Sequence, residues 1–249
     1  MKMTREIELK LDIRNNFLHL WQKLAGQQGW NILIEDDLIC LKSPANIPNL
    51  NISYGINSSY HLDKAAGFFK GKKFAYIKED KEEKSIFDFK KEISVNITEM
   101  FISNYQKKNK NSFVINTITS EGDLATWAEI ASPVFGMEKT EIKKYIDVVS
   151  KLDNAWFFLA YDKNTAVGTG HIYFDDQELA YISTIGVLEA NRRKGIGTAI
   201  MEECINFSFR KGAKYVALHA SEMGINLYKT MGFEQIKVSE FNIIDTLIK

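Results

Sequence analysis

The 249 residues hold two cysteines, Cys40 and Cys204. They lie far apart and each sits among apolar residues, so they are expected as core packing, and a disulfide framework is excluded. Histidine is scarce too: His19, His61, His171 and His219 show no metal-ligand spacing with one another or with cysteine, and no metal site is expected. Nor is charge of one sign in excess. Lys plus Arg and Asp plus Glu number 32 each, so no overall field draws the chain to nucleic acid or to an anionic membrane, and any basic function has to be local. No apolar run reaches membrane-spanning length, and Met1-Lys2-Met3-Thr4-Arg5-Glu6 lacks the apolar core of a signal peptide. The expected location is the cytoplasm.

What the chain does have is a globular composition, 45% hydrophobic and 26% charged, and one stretch around which the rest is organised. Leu179 to Val187 is rich in aromatic and β-branched residues, as a half-buried strand should be. Asn191-Arg192-Arg193-Lys194-Gly195-Ile196-Gly197-Thr198-Ala199 follows, and Ile196, Ala199, Ile200, Cys204 and Phe207 then recur at helical spacing up to Arg210, Lys211 and Gly212. The element is strand, glycine turn, helix. Gly195 and Gly197 let a ligand approach the backbone, and the first N–H groups of the helix, the positive end of its dipole and three basic side chains together form an anion site. A solvated basic turn is the plainer alternative. A Walker A loop is absent, and a dinucleotide fingerprint would need a small residue where Ile200 stands.

Arg192-x-x-Gly195-x-Gly197 is similar to the Arg/Gln-x-x-Gly-x-Gly/Ala signature of the GNAT superfamily of acyl-CoA-dependent N-acetyltransferases. A second stretch resembles the same family: Leu218-His219-Ala220-Ser221-Glu222-Met223-Gly224, then Leu227-Tyr228-Lys229-Thr230-Met231-Gly232-Phe233, its last core strand and the helix after it. The resemblance covers the chain from about Phe113 onward. It implies an α/β (α+β) fold, a mixed and mostly antiparallel sheet with flanking helices.

Read in order, the first half gives a helix at Asn15 to Ala25, strands at Trp30 to Ile34, Leu38 to Leu41 and Leu50 to Tyr54, and a helix at Ser59 to Lys70 capped by Ser58 or Ser59. Strands follow at Phe74 to Ile77 and Ile93 to Ile102, with a charged helix or loop at Lys78 to Lys91 between them. Its element order resembles the degenerate, smaller GNAT-like N-terminal domain of some two-domain relatives. Polar, aperiodic Tyr105 to Ser112 reads as the linker, giving domains 1–111 and 112–249. Beyond it come a strand at Phe113 to Thr117, a helix from Ser120 to Ala131 broken by Pro133 and Gly136, and a helix over Glu138 to Lys151. Strands at Trp156 to Tyr161, Ala166 to Phe174 and Leu179 to Val187 form a meander leading into the glycine turn. A strand at Lys214 to His219 must then run parallel to the one before the helix.

The resemblance implies one acetyl-CoA, or another short acyl-CoA, per chain. Its arm would lie on the backbone of Ile185, Gly186 and Val187 and its pyrophosphate on Arg192, Arg193, Lys194, Gly195, Ile196, Gly197 and Thr198. Ser221 would assist where many relatives carry asparagine. Tyr228 falls on the family's general-acid tyrosine, and a phenol can protonate a departing thiolate; its plainer role is packing the helix on the sheet. A strand amide near Ile185 would serve the oxyanion. Where several relatives carry a catalytic carboxylate stands Tyr181, so no general base is evident; Glu178, His171, Ser183, Glu129 and ordered water are the candidates. The implied function is acetyl transfer to the primary amine of a small molecule or peptide, by a monomer or homodimer. A non-catalytic acyl-CoA-binding regulator is the alternative, and an RNA-binding module the third class. The first half has no such turn and is expected to wall the acceptor cleft.

Overall fold

The computed structural model describes residues 13–27, 29–79, 91–105, 113–176 and 178–245. The expected linker, Tyr105 apart, and the charged stretch between Lys78 and Lys91 lie almost wholly outside them. Helix α1 (Ile13–Leu24) is followed by strands β1 (Asn31–Glu35), β2 (Leu38–Lys42) and β3 (Asn51–Tyr54), helix α2 (Ser59–Phe68), and strands β4 (Lys73–Lys78) and β5 (Lys91–Ile102). The second half comprises β6 (Val114–Thr117), helices α3 (Glu121–Phe135) and α4 (Lys139–Val149), strands β7 (Ala155–Asp162), β8 (Thr165–Phe174) and β9 (Leu179–Val187), helix α5 (Ile196–Arg210), strand β10 (Tyr215–Ala220), helix α6 (Ile225–Met231) and strand β11 (Glu234–Asp245). This is the mixed, mostly antiparallel α/β architecture expected. Among the described residues no helix is long and apolar enough to cross a membrane.

The two halves share one 11-stranded sheet, in the order β1-β2-β3-β4-β11-β5-β10-β9-β8-β7-β6. The long strands are exchanged. β5 of the first half lies between β10 and β11, pairing Thr98 to Ile102 with Ala220 to Val216. β11 of the second half returns to pair Glu240 to Asp245 with Lys78 to Lys73. Among the described residues only β3–β4 and β9–β10 are parallel, and each pair is joined by a helix, α2 or α5. Each half therefore repeats one plan and completes the other's sheet.

Strand alternation sorts the side chains to two faces. Phe157 and Leu159 of β7 join Trp21, Trp30, Trp127 and Tyr173 beneath α1, α3 and α4, while Phe158 and Ala160 join Ile200, Met201 and Cys204 of α5 on the opposite face. Both cysteines are buried and free. Helix α3 begins as expected, with the Ser120 hydroxyl accepting from the Asp123 amide (3.1 Å). It does not break at Pro133, however, but runs to Phe135. So close to the end the proline forfeits one helical bond, and left-handed Gly136 (φ +63°) makes the stop.

Candidate active site

β9 and β10 are in parallel register only from Leu179/Tyr215 to Tyr181/Ala217. Beyond that, β9 pairs with β8 alone up to Val187 and β10 with β5 alone up to Ala220, so the two strands part. Where they part, β9 carries a bulge. Thr169 pairs with Gly186 and His171 with Ser183, which sets Thr184 and Ile185 opposite the single residue Gly170. Thr184 takes φ +52°, uncommon for a β-branched residue, and its carbonyl accepts from Thr169 Oγ1 (3.0 Å). Gly186 lies flush under α3: a Cβ there would stand 2.6 Å from Val134 Cγ1.

The glycine turn begins at the end of this strand. Arg192 Nε donates to the Val187 carbonyl (3.1 Å), and Lys194 Nζ (3.4 Å) and Asn191 Nδ2 (3.2 Å) share Asp162 Oδ2. Arg193 (φ +59°) and Gly195 (φ +86°) are left-handed, so the chain doubles back and enters α5 at Ile196. Gly195 is the N-cap, and no side chain caps the helix. Its first bond runs from the Ala199 amide to the Gly195 carbonyl (3.0 Å), leaving the preceding amides to outside acceptors beside exposed Arg192, Arg193 and Lys194. A Cβ on Gly197 would lie 3.9 Å from Val187 Cγ2, so the first turn of α5 abuts the end of the parted strand.

Tyr228, on α6, packs against the same core as Ile185 and Val187, its ring 5.8 Å from that of Phe233. Burial, with Cys204 nearby, raises its hydroxyl above the ordinary phenol range, which keeps it protonated at neutral pH. Exposed Ser221 holds the turn into α6 through its carbonyl, which accepts from the Gly224 (2.9 Å) and Ile225 (3.2 Å) amides.

On the opposite face, a cavity of about 250 Å³ opens between the halves. Asn16, Phe17, Leu20 and Leu50 line it from the first half, and Trp127, Tyr145, His171, Tyr173, Tyr181, Ser183 and Thr184 from the second. Two of the four side chains considered as bases are here: His171 Nδ1 bonds Ser183 Oγ (2.9 Å), and burial lowers the imidazole to about 3, so it is neutral. Glu178 and Glu129 are elsewhere, exposed and paired with Lys214 (2.6 Å) and Lys139 (2.5 Å). A wider cleft of about 980 Å³ outside α3 and α4 is lined by none of the predicted site residues.

One arrangement had no counterpart in the sequence reading. Buried Tyr181 hydrogen-bonds His219 Nδ1 through its hydroxyl (2.9 Å), and His219 Nε2 stands 3.6 Å from Glu99 Oε1 of β5. Burial alone would raise the Glu99 carboxyl; His219 and Lys237 together outweigh it and leave it below the ordinary range. Phe17 covers the chain, its ring edge-on to Tyr181 (4.8 Å) and stacked on His219 (5.9 Å). A carboxylate thus stands two links behind the tyrosine. No local signal could have found it, because Glu99 arrives through the exchanged strand.

Residues 123–233 match the acetyltransferase (GNAT) family. Over 105 residues the chain is 34% identical to the probable N-acetyltransferase san of Drosophila melanogaster, a span of 39% of this chain and 56% of that protein; it thus spans about half the length of this curated relative. A GNAT-family structure from Novosphingobium aromaticivorans DSM 12444 superposes with a TM-score of 0.66 at 12% identity, covering 95% of this chain and 97% of its own. The GCN5-related N-acetyltransferase from Kribbella flavida gives 0.64 at 10%, covering 92% and 95%. At these identities the likeness is one of fold, and it extends over both halves. The uncapped turn and parted strands fall inside the matched segment, so residues 123–233 are similar to the GNAT acetyltransferase family, within a fold that these GNAT structures share along almost the whole chain.

Proposed function

We propose that the protein is an acetyl-CoA-dependent N-acetyltransferase acting on a primary amine, with 112–249 as its catalytic domain and 1–111 as a degenerate domain walling the acceptor cavity. The observation that carries this reading is the uncapped, basic start of α5 set against the end of a bulged strand that has left its parallel neighbour. The residues fit the cofactor: the amides of Gly195 to Thr198, with Arg192, Arg193 and Lys194, would hold its pyrophosphate, Ile185 to Val187 its extended arm, and Ser221 would assist. Acetyl-CoA, when bound, supplies an activated acetyl thioester.

The remaining chemistry falls to the chain. Tyr181, at the cavity wall, takes the amine proton while its own hydroxyl proton passes to His219 Nδ1, and the ionised Glu99 stabilises the charged imidazole. The Ile185 amide in the bulge is assigned to the developing oxyanion. Tyr228, kept protonated by burial, gives a proton to the leaving sulfur. A non-catalytic regulator is favoured by the missing carboxylate at position 181, but the Glu99 chain restores one at short remove. Titration calorimetry should give one acetyl-CoA per chain, and amine-dependent thiol release should follow. No binding at millimolar acetyl-CoA overturns the reading, and binding without release for any amine leaves the regulator.

A further inference from the structure

The proposed reaction leaves the amine unspecified, and three buried polar atoms in the cavity wall bear on it. Asn16 is 1% exposed, and among the described residues neither its Oδ1 nor its Nδ2 has a hydrogen-bond partner. His171, also 1% exposed, spends Nδ1 on Ser183 and leaves Nε2 buried and unpartnered. Both residues line the same cavity. A buried carboxamide with donor and acceptor both unused is a standing cost in a folded protein, and here it lies where a ligand would meet it. The rest of the wall is largely apolar and aromatic, and among the described residues no Asp, Glu, Lys or Arg contributes to it. A second ammonium or a carboxylate would be desolvated there without a counter-charge.

We propose that the acceptor is a primary amine with an apolar body and one uncharged carboxamide, which Asn16 reads through a reciprocal pair of hydrogen bonds. Nδ2 donates to the ligand carbonyl and Oδ1 accepts from the ligand N–H. A carboxamide satisfies both atoms of another carboxamide at once, whereas a hydroxyl brings one oxygen to two atoms lying side by side. The same chemistry comes from a free hydrophobic amino-acid amide or from the first residue of a peptide with an apolar amino-terminal side chain. The amine's fate rests on the acetyl-transfer reading; recognition of the carboxamide does not.

The test uses the full chain and begins without acetyl-CoA. Trp127 lines the cavity, so tryptophan fluorescence should follow leucinamide binding. Isoamylamine, the same body without the amide, and putrescine should each bind at least about tenfold more weakly, because a site built for hydrogen bonds rejects a ligand that cannot make them. Asn16→Leu should bring leucinamide and isoamylamine within about twofold while melting no lower than the parent protein, since it removes two unpaired polar atoms. Asn16→Ala serves if leucine overfills the site. Thiol release with acetyl-CoA then compares leucinamide with a Leu-Ala-Ala peptide and separates the two sources. Equal binding of isoamylamine, preference for putrescine, or discrimination surviving in a destabilised Asn16→Leu overturns the proposal. Asn16-dependent leucinamide binding with no thiol release supports it and sinks acetyl transfer instead; release with putrescine alone does the reverse.

Discussion

β3, α2 and β4 in the first half and β9, α5 and β10 in the second make the same unit of strand, turn, helix and parallel strand, each flanked by a long strand lent from the other half. In the first unit the helix start is closed. Ser58 Oγ accepts from the His61 amide (3.1 Å), and the His61 ring donates through Nδ1 to the Gly55 carbonyl (3.0 Å). A Cβ on Gly55 would stand 1.9 Å from the Asp37 carbonyl oxygen, so the turn is packed hard against the β1–β2 connection. β3 also ends at Tyr54 still in register with Ile77. In the second unit the cap is Gly195, nothing lies within 4 Å of where its Cβ would be, and β9 runs six residues beyond its last pairing with β10. The repeated fold offers a helix start twice. An anion site with room for an extended arm needs an uncapped start and parted strands together, and only the second unit has both.

The sharpest test of this division is removal of the first half. A chain beginning near Ser112 loses β5, the strand between β10 and β11, and is expected to lose acetyl-CoA binding in calorimetry and cooperative unfolding in circular dichroism; retained activity would mean the exchange is dispensable. Next are the two turn glycines. Gly55→Ala forces a left-handed residue (φ +71°) into a neighbouring carbonyl and should cost about 3 kcal/mol in urea unfolding. Gly195→Ala meets only the left-handed penalty, about 1 kcal/mol, yet should weaken acetyl-CoA binding. Equal stability losses would erase the contrast between an architectural turn and a functional one.

A comparable effect on turnover is expected from Tyr228→Phe, which should lower kcat by about a hundredfold and leave acetyl-CoA affinity within about twofold; unchanged turnover would return Tyr228 to packing alone. The smallest effect is that of Ser58→Ala, which removes a helix cap for about 1 kcal/mol. It should still bind one acetyl-CoA per chain, because β3 and β4 remain paired. A count of two would show that the cap alone had closed the first unit.

Most of what was legible in the sequence was local. The change from aromatic and β-branched residues at Leu179 to Val187 to helical spacing at Ile196 to Phe207, with a glycine turn between, marked the turn and the uncapped helix, and Ser58, Ser120 and Gly136 marked helix ends that the structure bears. Pro133 misled because its cost depends on how close it stands to the end of the helix, not on its presence. β11 went unread: its alternation is broken by irregularities at Gln235/Lys237 and Ile243/Ile244, and its partners are residues of the first half.

The composition and the glycine turn thus determined an α/β chain with a basic, uncapped helix start. Tertiary structure alone decided that β5 and β11 trade places, that β9 leaves β10 after Tyr181, that Asn16 and His171 face one cavity, and that Glu99 stands behind His219. Helix starts and turns are written in neighbouring residues, whereas pairings between strands more than a hundred residues apart satisfy backbone groups every residue carries and leave no mark on the side chains in between.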